Sequence, residues 1–502
     1  MLPTLNIRLG LTRPNRADVV VVGAGLAGLE TGLELASKGA AVTILEAGPI
    51  GRLKHVNAVM SPGEAREAWL EAATADPCFV VPYESACPPH YTGHSGLRQS
   101  VGGRSLYWHG VVLPIEEWAL AAWPADIRTD LVKSWQGGPC LYERTLSRLE
   151  SWVGGALSPE RSELVELLKT ANFENAQPIP SAVRRESDSG AWSAYSALNL
   201  LMTTPREESG YREAASAMQI CAGCRINRLN YSRSSDCHDL TVETVEGIQT
   251  VGADIVILAA GTVENTRLVA GLLGQNAPAH FPIVDHIVQG FMVRVRKELM
   301  SLPPGHDFAA MVPGSSSDRS NLFVTIESAG QDWIIDAWQM GEQLPSDVSW
   351  IQCSIQGTPL EFPLIHADLC ASDERLVQRQ QRNLENFWVA ISNVLGIAPS
   401  RLAFSTFGDL STTYANLMRG IRTNAVRAGS ECLTYFCPLG TVDHESCTLA
   451  YGGFLDNDGR VEQNKSVLVV GPSTFPRSGA ANPSLTSLAL ATRTASLVSQ
   501  SH

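Results

Sequence analysis

The chain has 502 residues, of which 44% are hydrophobic, so it is long enough for two domains with a sizeable apolar core. Its 38 Lys and Arg against 51 Asp and Glu give a net charge of −13, which argues against nucleic acids and anionic membranes as partners. No bilayer-spanning apolar run and no secretory leader is evident, and 11 cysteines without regular spacing do not suggest a disulfide framework. We therefore expect a globular, cytoplasmic protein with reduced thiols.

The first elements predicted in chain order are a strand over 18–22, a helix that reaches Lys38, and a second strand from Ala41. Glycines separate the first strand from the helix and an acid ends the second strand: Gly23, Gly25, Gly28 and Glu46. These glycines allow a tight turn, close approach of a pyrophosphate and close packing of the helix, and Glu46 can accept hydrogen bonds from a ribose. The pattern predicts a dinucleotide site for FAD or NAD and not NADP; the alternative is a purely structural glycine turn.

A glycine-bearing loop follows at residues 100–110 and contains Gly102 and Gly103. Adjacent glycines let a backbone run against a planar ligand, whereas the simpler interpretation is a surface turn. Residues 116–154 are predicted to be helical.

Strands return at 218–221, 240–245 and 253–261, the last being a buried strand that ends in Gly261 before a helix. The pair Cys221 and Cys224 is interpreted as a strand end, with half a zinc site or a redox pair as the alternative. No metal site is predicted.

A second, antiparallel region is predicted beyond residue 290. It comprises strands at 291–296, 321–327, 333–339 and 349–356 and a long helix at 373–394.

At the C-terminal end, Asn482 is a favoured N-cap residue and Pro483 suits the first position of a helix. The positive end of such a helix dipole would stabilise negative charge on a reduced flavin. An ordinary capped helix is the alternative.

Together these segments resemble the glucose-methanol-choline (GMC) oxidoreductases, which are FAD-dependent enzymes acting on alcohols. The resemblance covers both ends and the middle of the chain. Its motifs are the first glycine turn with Glu46, the Gly102-Gly103 loop, the strand and helix over 253–268, Asp285-His286, the stretch His444 to Gly452, and Asn482-Pro483.

The resemblance implies an active-site pair, His444 and Asn482. A histidine titrates near pH 7 and can take a hydroxyl proton as hydride leaves the carbon for flavin N5. Asn482 can hold the same oxygen by a hydrogen bond.

Three positions depart from the family pattern: Cys447 replaces a glycine, Tyr451 a methionine, and Gly471 an aspartate. The loop around Trp108 is most similar to the pyranose-oxidase branch, in which a histidine just before the tryptophan can bond covalently to FAD. Because Tyr107 occupies that place, we expect non-covalent FAD. His109 either approaches the flavin or caps the loop.

The resemblance further implies the cofactor-binding residues, which are Gly23, Gly25, Gly28, Glu46, Gly102, Gly103, Tyr107, Trp108, His109, Ile226, Gly261, Gly471, Ser484 and Thr486. The predicted fold class is α/β (α+β overall), with a Rossmann-like FAD domain and a discontinuous substrate domain built on an antiparallel sheet flanked by helices. The FAD domain is assigned to 1–50, 91–110, 211–290 and 431–502, and the substrate domain with its lid segments to 51–90, 111–210 and 291–430.

The predicted function is FAD-dependent oxidation of a CH–OH group to a carbonyl, with O₂ or another electron acceptor. The loop resemblance alone suggests a polyol, sugar, cyclitol or sugar-bearing natural product. One alternative is a lyase or isomerase on the same fold, since fold does not dictate reaction. Another is a partner-binding flavoprotein without turnover, which the presence of His444 and Asn482 disfavours.

Overall fold

The computed structural model describes residues 6–11, 16–93, 95–159, 162–185, 191–203, 217–232, 237–300, 302–303, 308–355, 358–404, 432–462 and 464–500. Its α-helices are α1 (Leu26–Ser37), α2 (Val56–Val59), α3 (Pro62–Leu70), α4 (Ala72–Ala75), α5 (Glu117–Leu120), α6 (Ala125–Val132), α7 (Leu141–Val153), α8 (Glu163–Thr170), α9 (Ala197–Thr203), α10 (Thr262–Leu273), α11 (Ala371–Leu395) and α12 (Ser484–Gln500).

The strands in the first half of the chain are β1 (Asn6–Leu9), β2 (Arg16–Val22), β3 (Val42–Leu45), β4 (Phe79–Val80), β5 (Glu84–Ser85), β6 (Leu97–Arg98), β7 (Gln177–Pro178), β8 (Val183–Arg185), β9 (Trp192–Ala194), β10 (Met218–Ala222), β11 (Arg225–Ser232), β12 (Cys237–Thr244) and β13 (Gly247–Leu258). Those in the second half are β14 (Phe281–Pro282), β15 (His286–Arg296), β16 (Phe308–Val312), β17 (Ser320–Ala329), β18 (Asp332–Glu342), β19 (Trp350–Ile355), β20 (Thr358–His366), β21 (Leu433–Cys437), β22 (Arg460–Val461) and β23 (Asn464–Val469).

The first large sheet has the strand order β1-β10-β3-β2-β13-β12-β11, and β23 joins it beside the end of β13. Its β1, β10, β3, β2 and β13 strands run parallel, whereas β12 and β11 are antiparallel. The valines at 19–22 are buried, as expected for a strand covered on both faces. Helix α1 returns the chain from β2 to β3 and packs against α12. This sheet confirms the Rossmann-like part of the predicted fold.

The second large sheet is antiparallel and has the order β21-β15-β18-β17-β16-β7. Side chains alternate between its two faces. Phe291 on one face belongs to a core with Phe387 and Trp388 of α11. The opposite face carries Val288 and, directly across the strand pair, Met340. That opposite face borders the cavity described below.

The predicted elements agree with the structure in type and differ at their ends. The helix predicted at 373–394 is α11, Ala371–Leu395, and the four predicted strands beyond residue 290 are β15, β17, β18 and β19. The C-terminal helix is a correction, because it begins at Ser484 and not at Pro483. Pro483 lies outside the helix, and its carbonyl accepts the N–H of Ser487 at 2.9 Å. Within the described ranges, no helix is long and apolar enough to cross a membrane.

Candidate active site

A cavity of about 420 Å³ lies where β2, β3 and β13 end, and it extends to the second sheet. It collects residues from segments more than 400 positions apart. The sequence-predicted residues that line it are Gly23, Gly25, Glu46, Gly103, Tyr107, Trp108, His109, Ile226, Gly261, His444, Gly471, Asn482 and Ser484. The predicted residues Gly28, Gly102 and Thr486 do not line it.

The glycine turn after β2 is tightly packed against protein backbone at Gly23 and Gly28 but is open toward the cavity at Gly25. A Cβ on Gly23 would lie 2.7 Å from the carbonyl oxygen of Ala259, and one on Gly28 would lie 2.0 Å from that of Gly23. Gly25 lines the cavity, and a Cβ there would meet nothing within 4 Å. The N-terminus of α1 therefore faces open space, which is the geometry that a pyrophosphate requires.

Glu46 follows β3 and lies at the same edge of the cavity. Its carboxylate oxygens accept the backbone N–H groups of Ala24 at 2.9 Å and Gly48 at 2.8 Å. Burial raises the pKa of Glu46 to about 7, and these two hydrogen bonds oppose the rise. Each carboxylate oxygen keeps a second lone pair for another donor.

The Gly102-Gly103 loop packs against the glycine turn. The N–H of Gly102 donates to the carbonyl of Ala24 at 2.9 Å, and a Cβ on Gly103 would lie 3.4 Å from Cα of Gly25. Gly102 itself faces away from the cavity, because a Cβ there would meet Leu106 at 2.6 Å. Gly103 thus contributes to the cavity wall, and Gly102 supports the loop from behind.

Tyr107 lines the cavity with its hydroxyl group already engaged. It donates to Asp76, and both burial and Asp76 raise its pKa above the usual range. Arg98 forms an ion pair with Asp76 at 3.0 Å and lies 5.0 Å from the centre of the Tyr107 ring. Asp76 and Arg98 therefore hold Tyr107 in place.

Trp108 and His109 continue the wall. Nε1 of Trp108 donates to the carbonyl of Tyr195 at 3.0 Å, which fixes the indole. His109 exposes its side chain to the cavity, 6.1 Å from the ring of Trp192. Desolvation within the cavity lowers the pKa of His109, so the ring is neutral at pH 7. This orientation agrees with a cavity-facing His109 better than with a loop cap.

His444 lies between two partners. Its Nδ1 is 2.9 Å from Nδ1 of His286, and its Nε2 is 3.4 Å from Nδ2 of Asn482. Burial, then His286 and Arg104, hold the pKa of His444 well below its usual value. His444 is therefore neutral at pH 7 and able to accept a proton.

Asp285 and the two histidines could each offer one ligand atom to an ion, since these atoms all lie within 4.8 Å of one another. The two imidazoles bond to each other, however, and Asp285 accepts the N–H groups of His286 at 2.7 Å and Gly440 at 2.5 Å. Burial raises the pKa of Asp285 to about 8. Because the carboxylate oxygens of Asp285 and the Nδ1 atoms of both histidines are already used in hydrogen bonds, we assign none of the three residues to a metal.

Both residues that flank His444 pair with Arg104 of the glycine loop. Arg104 lies 2.9 Å from Asp443 and 2.7 Å from Glu445. Burial raises the pKa of Asp443 to about 6, although Arg104 opposes the rise. Arg104 therefore connects the loop beside the glycine turn to the segment that carries His444.

The start of α12 differs from the expectation. Oδ1 of Asn482 has no hydrogen-bond partner among the described residues, so Asn482 does not cap the helix; its amide is aimed at His444 instead. Thr486 lies on the far side of the helix, where its hydroxyl bonds to that of Tyr142 at 2.8 Å. The prediction that Thr486 binds the cofactor is therefore corrected. Ser484 lines the cavity, and a residue two positions further along a helix points to a different side.

The three residues that depart from the family motif, Cys447, Tyr451 and Gly471, each have a defined conformation or contact in the structure. Cys447 has φ of +69°, the left-handed region that favours glycine, so the backbone keeps this conformation although the residue is not glycine. Burial raises the pKa of its thiol to about 12. Tyr451 packs against Trp123, with ring centres 6.2 Å apart. Gly471 has φ of +105° and lines the cavity.

Sequence reasoning missed the residues that support His444 from behind. Asp285 and His286 were recognised only as a motif, without a role in the site. Glu342 and Gly479 carried no local signal, because their relation to His286 depends on strand register and on a turn near the C-terminus. Val288, Trp338 and Met340, which line the cavity, looked like ordinary strand residues.

A glycine turn at the end of a parallel sheet and a histidine–asparagine pair in one cavity define a dinucleotide-dependent oxidoreductase. Residues 18–331 match the family model described as FAD dependent oxidoreductase, and residues 380–491 match the model described as GMC oxidoreductase. The chain belongs to the FAD-dependent oxidoreductases of GMC type, and its cofactor is FAD.

Among solved structures, the chain is similar to pyridoxine 4-oxidase from Mesorbium loti. The two share 16% sequence identity over 97% of this chain and 100% of that one, with a TM-score of 0.63, which is a likeness of fold. No curated protein matches the chain.

Proposed function

We propose that the protein oxidises a CH–OH group to a carbonyl, with His444 as the proton acceptor and Asn482 as the hydrogen-bond donor to the reacting oxygen. The observation that carries this proposal is the placement of both side chains in the cavity that the glycine turn also lines. Bound FAD would supply the hydride acceptor. The neutral ring of His444 takes the hydroxyl proton as the C–H bond breaks.

The chain's own residues fit a dinucleotide along the cavity. Gly25 and the N-terminus of α1 leave space for a pyrophosphate, and Glu46 retains lone pairs for ribose hydroxyls. Ser484 lies at the start of α12, whose free N–H groups and positive dipole end favour a negatively charged group. Gly25, Glu46 and Ser484 all line the same cavity.

The wall beside the histidine supports a particular kind of alcohol. Val288 lies two positions after His286 on the same face of β15, about 7 Å along the strand. Met340 is its cross-strand partner, and Trp338 follows on the same face, stacked on Phe323 with ring centres 5.5 Å apart. The sheet therefore presents apolar and aromatic surface to the substrate.

We accordingly propose an alcohol with a flat, apolar or aromatic body as substrate. A polyol or sugar, which the loop resemblance suggested, would need several polar groups to replace the water around its hydroxyls. Arg104, Asp443 and Glu445 are charged but already pair with one another. Pyridoxine 4-oxidase, whose name states that it acts on pyridoxine, resembles this chain only in fold, so the wall and not that likeness supports the proposal.

The test is an anaerobic panel of alcohols with the oxidised holoenzyme, read by loss of the flavin absorbance. Arylmethanols should bleach the flavin faster than glycerol, inositol or glucose at equal concentration. Trp338→Ser should lower the preference for arylmethanols, whereas Trp350→Ser, at a position outside the cavity, should leave it unchanged. Sugars that bleach the flavin faster than every arylmethanol would contradict the substrate class.

The same panel separates oxidation from a lyase or isomerase reaction. An oxidase or dehydrogenase bleaches its flavin with substrate and recovers absorbance when O₂ or another acceptor is added. Product formation without bleaching would favour the non-redox alternative.

A further inference from the structure

The hydrogen bonds behind His444 begin at a backbone carbonyl. Nε2 of His286 lies 3.0 Å from the carbonyl oxygen of Gly479. A carbonyl oxygen only accepts hydrogen bonds, so Nε2 of His286 must carry a proton. Burial lowers the pKa of His286 to about 4, which leaves the ring neutral at pH 7. Its Nδ1 is therefore unprotonated and holds a lone pair.

That lone pair determines the tautomer of the next ring. Nδ1 of His444 lies 2.9 Å from Nδ1 of His286 and must be the donor, because the latter has no proton to give. The His444 ring is also neutral, so its single proton is used on Nδ1. Nε2 of His444 is therefore unprotonated, and the amide nitrogen of Asn482, 3.4 Å away, can donate a hydrogen bond to it.

We propose that His286 is a positioning residue, which accepts a hydrogen bond from Nδ1 of His444 and so keeps Nε2 of His444 unprotonated toward the cavity. The inference rests on the proposed function in one respect, namely that His444 takes the substrate proton. A histidine in the other tautomer would present an N–H to the hydroxyl and could not accept its proton.

The carbonyl that orients His286 is itself held from two sides. The N–H of Gly479 donates to Oε1 of Glu342 at 3.0 Å, and Nε of Arg477 donates to the same oxygen at 3.0 Å. The next N–H, that of Ala480, donates to Glu116 at 3.0 Å. These bonds fix the turn before Asn482, so the Gly479 carbonyl cannot easily turn away from His286.

Strand register brings these groups together. His286 and Glu342 are directly opposite each other at the ends of β15 and β18. Charged groups near the two histidines are paired with hydrogen-bond or ion-pair partners; they include Arg104, Glu116, Asp285, Glu342, Asp443, Glu445 and Arg477.

The first test reads the tautomer directly and needs no substrate. In the oxidised holoenzyme with ¹⁵N-labelled histidine, two-bond ¹H–¹⁵N correlation spectra distinguish a bare ring nitrogen from an N–H nitrogen. The His444→Ala spectrum identifies the His444 signals. We expect Nδ1 of His444 to carry the proton in the wild type, and a mixed or reversed tautomer in His286→Leu. A wild-type His444 protonated on Nε2 would overturn the inference, even if no variant folds.

The second test compares rates of flavin reduction by one alcohol. His286→Leu removes the acceptor and should slow reduction about tenfold or more, the usual cost of losing a group that orients a catalytic histidine. His286→Asn keeps an oxygen acceptor near the Nδ1 position and should recover part of the rate and of the tautomer signal. His238→Leu, which removes another buried histidine outside the cavity, should do neither.

A His286→Leu variant with the wild-type reduction rate and unchanged His444 signals would overturn the inference. Equal loss in His286→Asn and His286→Leu, with the His444 tautomer intact in both, would also do so, since the residue would then act only on folding. If no alcohol reduces the flavin, the proposed function fails while the tautomer measurement still stands.

Discussion

Nδ2 of Asn482 lies 3.4 Å from Nε2 of His444, although the two residues are 38 positions apart in the chain. The contact places an amide donor and an imidazole acceptor side by side in the cavity. An oxygen that reaches both could receive the amide hydrogen bond while giving its proton to the imidazole. The two side chains therefore have separable roles, which the following variants test.

Replacing His444 removes the proton acceptor. We expect His444→Ala to slow anaerobic flavin reduction by about a hundredfold or more, while FAD stays bound, because the glycine turn and Glu46 are untouched. Stopped-flow absorbance with a single alcohol measures the rate, and the flavin spectrum measures occupancy. Reduction at the wild-type rate across the pH range would show that His444 is not the base, and His109, which also faces the cavity, would be tested next.

Replacing Asn482 removes a donor to the reacting oxygen and leaves α12 intact, because the side chain does not cap the helix. We expect Asn482→Ala to slow flavin reduction about a hundredfold, the usual effect of losing such a donor. The melting temperature should stay near that of wild type. Ser499→Ala, in the same helix but outside the cavity, is the control. A large fall in thermal stability without a rate effect would contradict the assignment.

The pH dependence of reduction follows from the pKa of His444. Burial, His286 and Arg104 lower this pKa well below the ordinary value of about 6.5. The neutral ring is the active form, so a lowered pKa extends the active range toward acid. The rate constant should remain flat from pH 8 through 6.5 and fall only at lower pH. A rate constant that falls to about half as the pH is lowered from 8 to 6.5 would show that the pKa of His444 is not lowered.

Glu46 is expected to serve both the adenosine part of FAD and the local backbone. Glu46→Ala should weaken FAD binding, because it removes a ribose acceptor. It also leaves the N–H groups of Ala24 and Gly48 without their acceptor, which should cost about 1–3 kcal/mol of stability for each buried group. Titration of apoprotein with FAD and denaturant unfolding measure the two effects. Unaltered FAD affinity would refute the placement of the adenosine.

Tyr107 is expected to leave FAD unlinked. Its hydroxyl donates to Asp76, and its pKa is raised, so it remains a neutral phenol. Acid precipitation of the purified yellow protein should release intact FAD into the supernatant. Tyr107→Phe should release it equally. Flavin that stays with the precipitated wild-type chain and is released from Tyr107→Phe would show a covalent bond at this residue.

Local patterns in the sequence predicted several strands of the first sheet, the glycine turn and the long helix α11, but not the edge strands β1 and β11. These features depend on neighbouring residues: apolar runs form buried strands, glycines permit turns that a Cβ would block, and three- and four-residue spacing gives a helix face. The pair His444 and Asn482 was also recognisable, through motifs near each residue. The exact start of α12 was not recognisable from the sequence. Asn482 is a residue type that often caps helices, but its side chain contacts His444 instead.

Tertiary structure alone decided which residues act together. His286 and His444 meet across 158 positions, and the carbonyl of Gly479 reaches His286 across 193. The hydroxyl of Thr486 forms a hydrogen bond with that of Tyr142 and does not reach the cavity. Pairing of β15 with β18 places Val288, Met340 and Trp338 together in the cavity wall. Such contacts depend on strand register and helix packing between distant segments, and no local pattern encodes the direction in which a buried imidazole or amide points.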